Sequence, residues 1–194
     1  ITDVSEVDEA LRLMRKAYAE VREQGVEVEM PQIGVMIEVP SAVYQSRSLA
    51  KRVDFISVGS NDLTQYLLAV DRNNPRVAGL YNQYHPAILR ALSMAVKRCK
   101  ALDKSISVCG EMAGDPSTAI LLAAMGFSAL SMSAANLLKV RKALCNIDLA
   151  SAQVLLDDVL QMDNPAVIRS WIERYMIQKG LTDLVRPVQH HYSQ

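Results

Sequence analysis

Three short apolar runs each lead into residues able to do chemistry. Ile33-Gly34-Val35-Met36-Ile37 leads to Glu38, Phe55-Ile56-Ser57-Val58-Gly59-Ser60 to the pair Asn61-Asp62, and Ile106-Ser107-Val108 to Cys109. Runs of this length, rich in β-branched residues and closed by Gly or Pro, predict buried parallel strands. In parallel α/β proteins the strand C-termini share one face, and that face carries the chemistry. Glu38, Asn61, Asp62 and Cys109 are therefore expected to converge.

Each of these residues has a plain structural role to set beside a chemical one. Glu38 or Asp62 alone could cap a helix or pair with a lysine. Two carboxylates on adjacent strand ends suit Mg2+, which takes one or two protein carboxylates and leaves its other positions to water and substrate oxygens. Asn61 can donate to a phosphate or carboxylate oxygen, or serve a turn, as Ser-Asn-Asp triplets do. Arg72 lies in the polar stretch Asp71-Arg72-Asn73-Asn74-Pro75-Arg76. Its guanidinium fork matches phosphate geometry, and its plain role is a solvated surface arginine. Arg76 is a second candidate in the same stretch. The Cys109 thiol could give or take a proton, or be a small buried apolar group. Glu111 and Asp115 could hydrogen-bond around the thiol or cap the following helix. His85 precedes Pro86 and fits a helix start, while His190 and His191 lie in the tail. No nucleophile–histidine pairing or phosphate-binding glycine loop is visible.

The elements that must hold these residues follow from periodicity. Val4, Val7, Ala10, Leu11, Met14, Tyr18 and Val21 repeat at three and four, which predicts an amphipathic helix over 5–24, with Ser5 as N-cap and Gly25 as its end. Strands are expected at 33–38, 54–59, 105–109 and 128–132. Helices are expected at 42–52 (capped by Ser41), 63–70, 86–102, from Asp115-Pro116-Ser117 to Gly126, and at 134–145. Pro86 suits the first helical position. The polar loop after residue 70 is long for a βα connection, and such loops are often functional. After Asp148 the pattern is helical only, over 149–162 and 165–179. The apolar positions there are Val154, Leu155, Val159 and Leu160, then Val167, Ile168, Trp171, Ile172, Tyr175 and Met176. The tail from Thr182 is expected to be irregular. The fold class is thus α/β, with about four β/α units followed by C-terminal helices. Four such units make half of an eight-stranded barrel or a small open sheet.

Composition narrows the function. The chain has 194 residues, half of them hydrophobic, with Lys+Arg and Asp+Glu both at 21. Zero formal charge argues against a nucleic-acid surface. Cys99, Cys109 and Cys145 are too sparse for a disulfide framework and read as reduced cytoplasmic thiols; Cys99 and Cys145 are expected on buried helix faces. No apolar run approaches membrane-spanning length, and no signal peptide is visible. Residue 1 is Ile, with a helix start close behind, which suggests a piece of a longer chain.

The motifs resemble those of the PEP-utilising enzymes. The resemblance rests on Gly34-Val35-Met36-Ile37-Glu38-Val39-Pro40, Gly59-Ser60-Asn61-Asp62-Leu63-Thr64-Gln65-Tyr66, Ala69-Val70-Asp71-Arg72 and Val108-Cys109-Gly110-Glu111-Met112-Ala113-Gly114-Asp115. Leu130-Ser131-Met132-Ser133 is similar to the last barrel strand of that family. Tyr66–Asn74 and the stretch from Leu80-Tyr81 to His85-Pro86 resemble Enzyme I of the phosphotransferase system, in wording closest to its nitrogen-related paralogue.

The resemblance implies that residues 1–194 are the C-terminal part of a (β/α)8 TIM-type barrel that binds phosphoenolpyruvate (PEP) and releases pyruvate. It implies that Glu38 and Asp62 hold Mg2+, that Asn61 and Arg72 bind the phosphoryl group, and that Cys109 protonates the pyruvate enolate at C3. The phospho-accepting histidine would lie in a separate N-terminal domain, which passes the phosphoryl group to an HPr-like phosphocarrier. The first half of the barrel, with further phosphate-binding arginines, would also lie outside this chain. The fragment alone is therefore expected to be inactive, and a homodimer is expected. Other readings are a fragment of pyruvate phosphate dikinase or PEP synthase, a Mg2+-dependent pyruvate aldolase or lyase, and a non-catalytic dimerisation or PEP-sensing module.

Overall fold

A computed structural model describes residues 1–185; His190 and His191 fall outside the described residues, as does most of the expected irregular tail. Four strands, β1 (Gly34–Ile37), β2 (Phe55–Gly59), β3 (Ser105–Cys109) and β4 (Ala129–Ser131), form one parallel sheet in the order β1-β2-β3-β4. A doubly wound sheet reverses its strand order at a switch point. This sheet runs in chain order throughout, which is the winding of a (β/α)8 barrel.

Alternation along the strands separates two faces. Val35, Ile37, Ile56, Val58, Ile106 and Val108 are buried against the helices. The opposite face carries Gly34, Met36, Phe55, Ser57, Ser107 and Cys109, and it is partly open. Met36 is 38% exposed and Phe55 37%. The expectation of strands buried on both faces therefore holds for one face only. The inner face of a barrel is filled by all eight strands, and four strands leave it half covered.

The helical layer comprises α1 (Val4–Glu23), α2 (Pro40–Ala50), α3 (Ser60–Leu68), α4 (Pro86–Lys100), α5 (Glu111–Gly114), α6 (Pro116–Met125) and α7 (Ala134–Cys145). Two additional helices, α8 (Leu149–Gln161) and α9 (Pro165–Gln178), complete it. It follows the expected units except that α3 starts three residues early and a short helix, α5, precedes the one opened by Asp115. Ile88, Leu89 and Leu92 of α4 and Ile120, Leu121 and Leu122 of α6 are fully buried and form the centre of the core. Helix α6 packs among α4, α7, α8 and α9, so residues 116–122 are buried without a break.

Several local expectations need correction. Asp3, not Ser5, caps α1: its carboxylate accepts the Ser5 N–H at 2.7 Å and the Ser5 hydroxyl at 2.6 Å, so Ser5 already lies inside the first turn. Only Val7 and Leu11 of the α1 stripe are buried. Helix α1 packs on α2, Asp8 in its N-terminal half accepts from Arg52 Nε, just past α2, at 2.7 Å, and Met14 and Val21 farther along stay exposed. Helix α2 begins at Pro40 rather than after Ser41, because proline at the first helical position forfeits no hydrogen bond. In α8 and α9 the buried faces are Ala152, Leu155, Leu156 and Val159, then Ile168, Ile172 and Met176. Val154, Val167 and Trp171 point outward. Cys145 is exposed at the end of α7, contrary to expectation, while Cys99 is buried and its thiol is pushed up to about 11 by that burial.

Candidate active site

The sheet register places the first pair of candidates. Ile37 pairs with Val58, so the next residues, Glu38 and Gly59, adjoin. A Cβ on Gly59 would lie 3.2 Å from Glu38 Cβ and 3.4 Å from its Oε2. Gly59 pairs in turn with Cys109, and Cys109 with Ser131. Glu38, Gly59, Cys109 and Ser131 thus form the top layer of the inner face, with glycine leaving room between the carboxylate and the thiol.

Asn61 and Asp62 do not lie on a strand end. Helix α3 starts at Ser60, directly after β2, and both residues sit in its first turn. An acidic side chain there is favoured by the helix dipole. Ser60 is fully buried, and its hydroxyl donates to the Cys109 carbonyl at 2.6 Å. Asn61 Oδ1 accepts the Glu111 backbone N–H at 2.9 Å. An N–H partner requires the carboxamide oxygen on that side, so the Asn61 NH2 group faces away and can donate to an anion. The first turns of α3 and α5 are therefore tied together above the paired ends of β2 and β3. Gly110 between them has φ 104° and ψ −170°, a conformation open essentially to glycine alone.

Arg72 follows α3 in the predicted polar loop. Ala69 closes the helix with φ 54°, and the Arg72 backbone N–H reaches Gln65 Oε1 at 3.3 Å. The Arg72 guanidinium lies 4.0 Å from Asp62 Oδ1, with both side chains more than a third exposed. Such a pair is weak, so both groups can turn to a ligand at little cost. Arg76 belongs to the exposed part of the loop, where its N–H is held by Asn74 Oδ1 at 3.1 Å.

The Cys109 thiol is half-buried and points to the Val58 carbonyl at 3.5 Å, a weak donor contact. Two cavities meet here. One, of about 590 Å³, is lined by Asn61, Arg72, Asn73, Ala78, Tyr81 and Glu111. The other, of about 360 Å³, includes Asn61, Cys109, Glu111, Ser131 and Asn136. Asn61 and Glu111 line both.

Tyr81 was not singled out by sequence. Its hydroxyl lies 3.4 Å from the Asn61 carbonyl and 3.5 Å from Asn61 Oδ1. Burial holds its ionisation above the ordinary range, with a hydrogen bond to Thr64 opposing, so it stays a neutral donor. Ser60 was missed too, because a buried serine after a strand carries no sequence mark of its own. Asp115 takes the capping role. Its carboxylate accepts the Ser117 N–H at 2.9 Å and the Thr118 N–H at 3.3 Å, opening α6. Asp115→Ala is expected to destabilise the domain by about 1–2 kcal/mol, read as a shift in the urea midpoint at constant m-value. His85 caps α4 through Nδ1, which accepts the Ala87 N–H at 3.2 Å.

Among the described residues no three His, Cys, Asp or Glu side chains cluster as a metal cage. Glu38, beside Gly59 at the strand end, and Asp62, in the first turn of α3, are two oxygen donors. That donor set fits Mg2+, which needs no more from protein, and is too poor for a structural zinc.

The family model described as "PEP-utilising enzyme, PEP-binding domain" matches residues 1–149. A protein of Escherichia coli (strain K12) named phosphoenolpyruvate-dependent phosphotransferase system is 45% identical over 187 residues, covering 96% of this chain and 25% of its own length. A phosphoenolpyruvate-protein phosphotransferase of Haemophilus influenzae is 40% identical over 182 residues, covering 93% of this chain and 32% of its own. The chain thus spans a quarter to a third of these relatives. A crystal structure of a citrate lyase from Burkholderia xenovorans LB400 superposes with a TM-score of 0.53 at 19% identity, over 93% of this chain and 62% of that one, a similarity of fold. The family pattern runs from the first residue to the start of α8 and takes in all four β/α units that build the rim, and on that ground this chain belongs to the PEP-binding domain family of the PEP-utilising enzymes.

Proposed function

We propose that this domain binds PEP at the C-terminal rim of its sheet and serves a longer PEP–protein phosphotransferase. The observation that carries this reading is Cys109 in the same inner layer as Glu38, across Gly59, with Asn61 lining the same cavity as Cys109. Glu38 and Asp62 would hold Mg2+, which when bound neutralises charge on the phosphate and carboxylate oxygens of PEP. The Asn61 NH2 group donates to a phosphoryl oxygen, and Arg72 leaves its loose pairing with Asp62 to contact the same group.

Phosphoryl transfer depends mainly on positioning and charge neutralisation. The P–O bond to enolpyruvate breaks as a P–N bond forms to a histidine elsewhere in the longer protein. The Cys109 S–H proton then passes to C3: the C=C electron pair becomes the new C–H bond, and the enolate oxygen becomes the ketone of pyruvate. The thiolate regains a proton from water. An HPr-like phosphocarrier receives the phosphoryl group downstream. Within the phosphotransferase family, motif wording supports the nitrogen-related branch. Three free thiols suit a cytoplasmic setting; no helix among the described residues is long and apolar enough to cross a membrane.

Strands β1 and β4 form the two edges of the sheet, and the inner face is partly open. Both features support completion by preceding β/α units of the longer protein and association as a homodimer. Calorimetric titration of this chain with PEP tests the site directly. Heat of binding should appear with Mg2+, vanish without it, and vanish in Glu38→Ala. Binding that survives in Glu38→Ala would remove the metal assignment, and no binding at millimolar PEP would mean that the preceding units supply the essential phosphate contacts.

A further inference from the structure

We propose that Ser60 is a positioning residue for the proton donor, an inference that rests on Cys109 being that donor. Ser60 is fully buried in the first turn of α3, yet its hydroxyl turns away from its own helix. It donates at 2.6 Å to the backbone carbonyl of Cys109, on the neighbouring strand. Its backbone carbonyl accepts from Thr64 Oγ1 at 2.7 Å inside α3, so the helix turn does not need the side chain.

The hydrogen bond acts at the point where β3 ends and the chain bends sharply through Gly110. The thiol itself has only a weak contact, to Val58 at 3.5 Å. Its direction is therefore set by the backbone of residue 109. Two ties fix that backbone beyond the sheet: Ser60 to the Cys109 carbonyl, and Asn61 to the Glu111 N–H. Asn61 also faces the ligand cavities, whereas the Ser60 hydroxyl, wholly enclosed, serves only the tie. Removing it frees the carbonyl to rotate and swings Cβ and Sγ off the line to C3. A donor displaced by a fraction of an ångström loses rate without changing ground-state binding.

A double-mutant cycle in the full-length phosphotransferase tests this, with pyruvate formation from PEP as readout and a thermal melt of each variant. Ser60→Ala should lower kcat on the order of tenfold with KM for PEP unchanged. In a Cys109→Ala background, Ser60→Ala should cause no further loss, because the group it positions is gone. Ser60→Thr, which keeps the hydroxyl, should retain most of kcat. Equal losses from Ser60→Ala in both backgrounds would overturn the proposal, as would a folded Ser60→Ala enzyme with unchanged kcat. A folded Ser60→Thr enzyme as slow as Ser60→Ala would also overturn it. If Cys109→Ala alone leaves pyruvate formation intact, the donor assignment itself fails, and that outcome is separate from the others.

Discussion

Cys109→Ala in the full-length protein is expected to lower kcat for pyruvate formation by about 10²-fold or more, while KM for PEP changes little. General acid catalysis by a positioned side chain typically contributes 10²–10⁴-fold, and the thiol is the group that the proposed mechanism uses as proton donor. It occupies the top layer between Gly59 and Ser131. The groups proposed to bind phosphate sit elsewhere: Asn61 is held by the Glu111 N–H, and Arg72 lies in the loop beyond α3. Removing the sulfur should therefore leave ground-state binding in place. Loss confined to kcat marks an interaction made in the transition state, whereas a rise in KM alone would mark Cys109 as a packing residue at the rim. Serine is the sharper comparison: it keeps an O–H of similar reach but holds its proton more tightly, so Cys109→Ser should recover little of the rate.

Much of this arrangement was legible in the sequence. The β-branched runs at 34–37, 55–59 and 105–109 fix their strands because few other structures suit short apolar runs closed by glycine or proline. Pro86, Pro116 and Gly126 fix helix limits by removing a donor or allowing positive φ. Because the strands are parallel and in chain order, strand ends at 38 and 109 had to share a rim. Other features depend on tertiary contact. Asn61 and Asp62 are expected at a strand end before a helix over 63–70, but α3 begins three residues earlier, at Ser60, whose hydroxyl finds its partner on β3 and not in a local turn. Tyr81 comes from a loop whose sequence carries no period, and only the fold brings its hydroxyl near Asn61. The exposed half of α1 and the outward Trp171 show the limit of helical periodicity. It identifies an apolar stripe, but which part of the stripe is covered depends on the neighbours each helix meets.

The same crossing predicts the largest stability effect near the site, at Gly110. With φ 104° and ψ −170°, this residue lies where a side chain costs about 1–3 kcal/mol before any contact is considered. A Cβ there would also stand 2.8 Å from Asn61 Oδ1 and against the Ser60 hydroxyl. Gly110→Ala must therefore break one of the two ties that hold the Cys109 backbone, or move β3 and α3 apart. The expected loss is roughly 3 kcal/mol, a fall in melting midpoint of about 6–12 °C for a domain of this size. Gly25 supplies the control: it too has positive φ, at 80°, but nothing lies within 4 Å of where its Cβ would be. Gly25→Ala should cost about 1 kcal/mol, from backbone conformation alone. The difference between the two substitutions then measures the crowding at the crossing. If Gly110→Ala melts no lower than Gly25→Ala, the close packing of Ser60 and Asn61 on Gly110 is not a feature of the folded protein. If it melts lower and also loses kcat with KM retained, the segment that sets the thiol direction and the segment that stabilises the rim are one and the same.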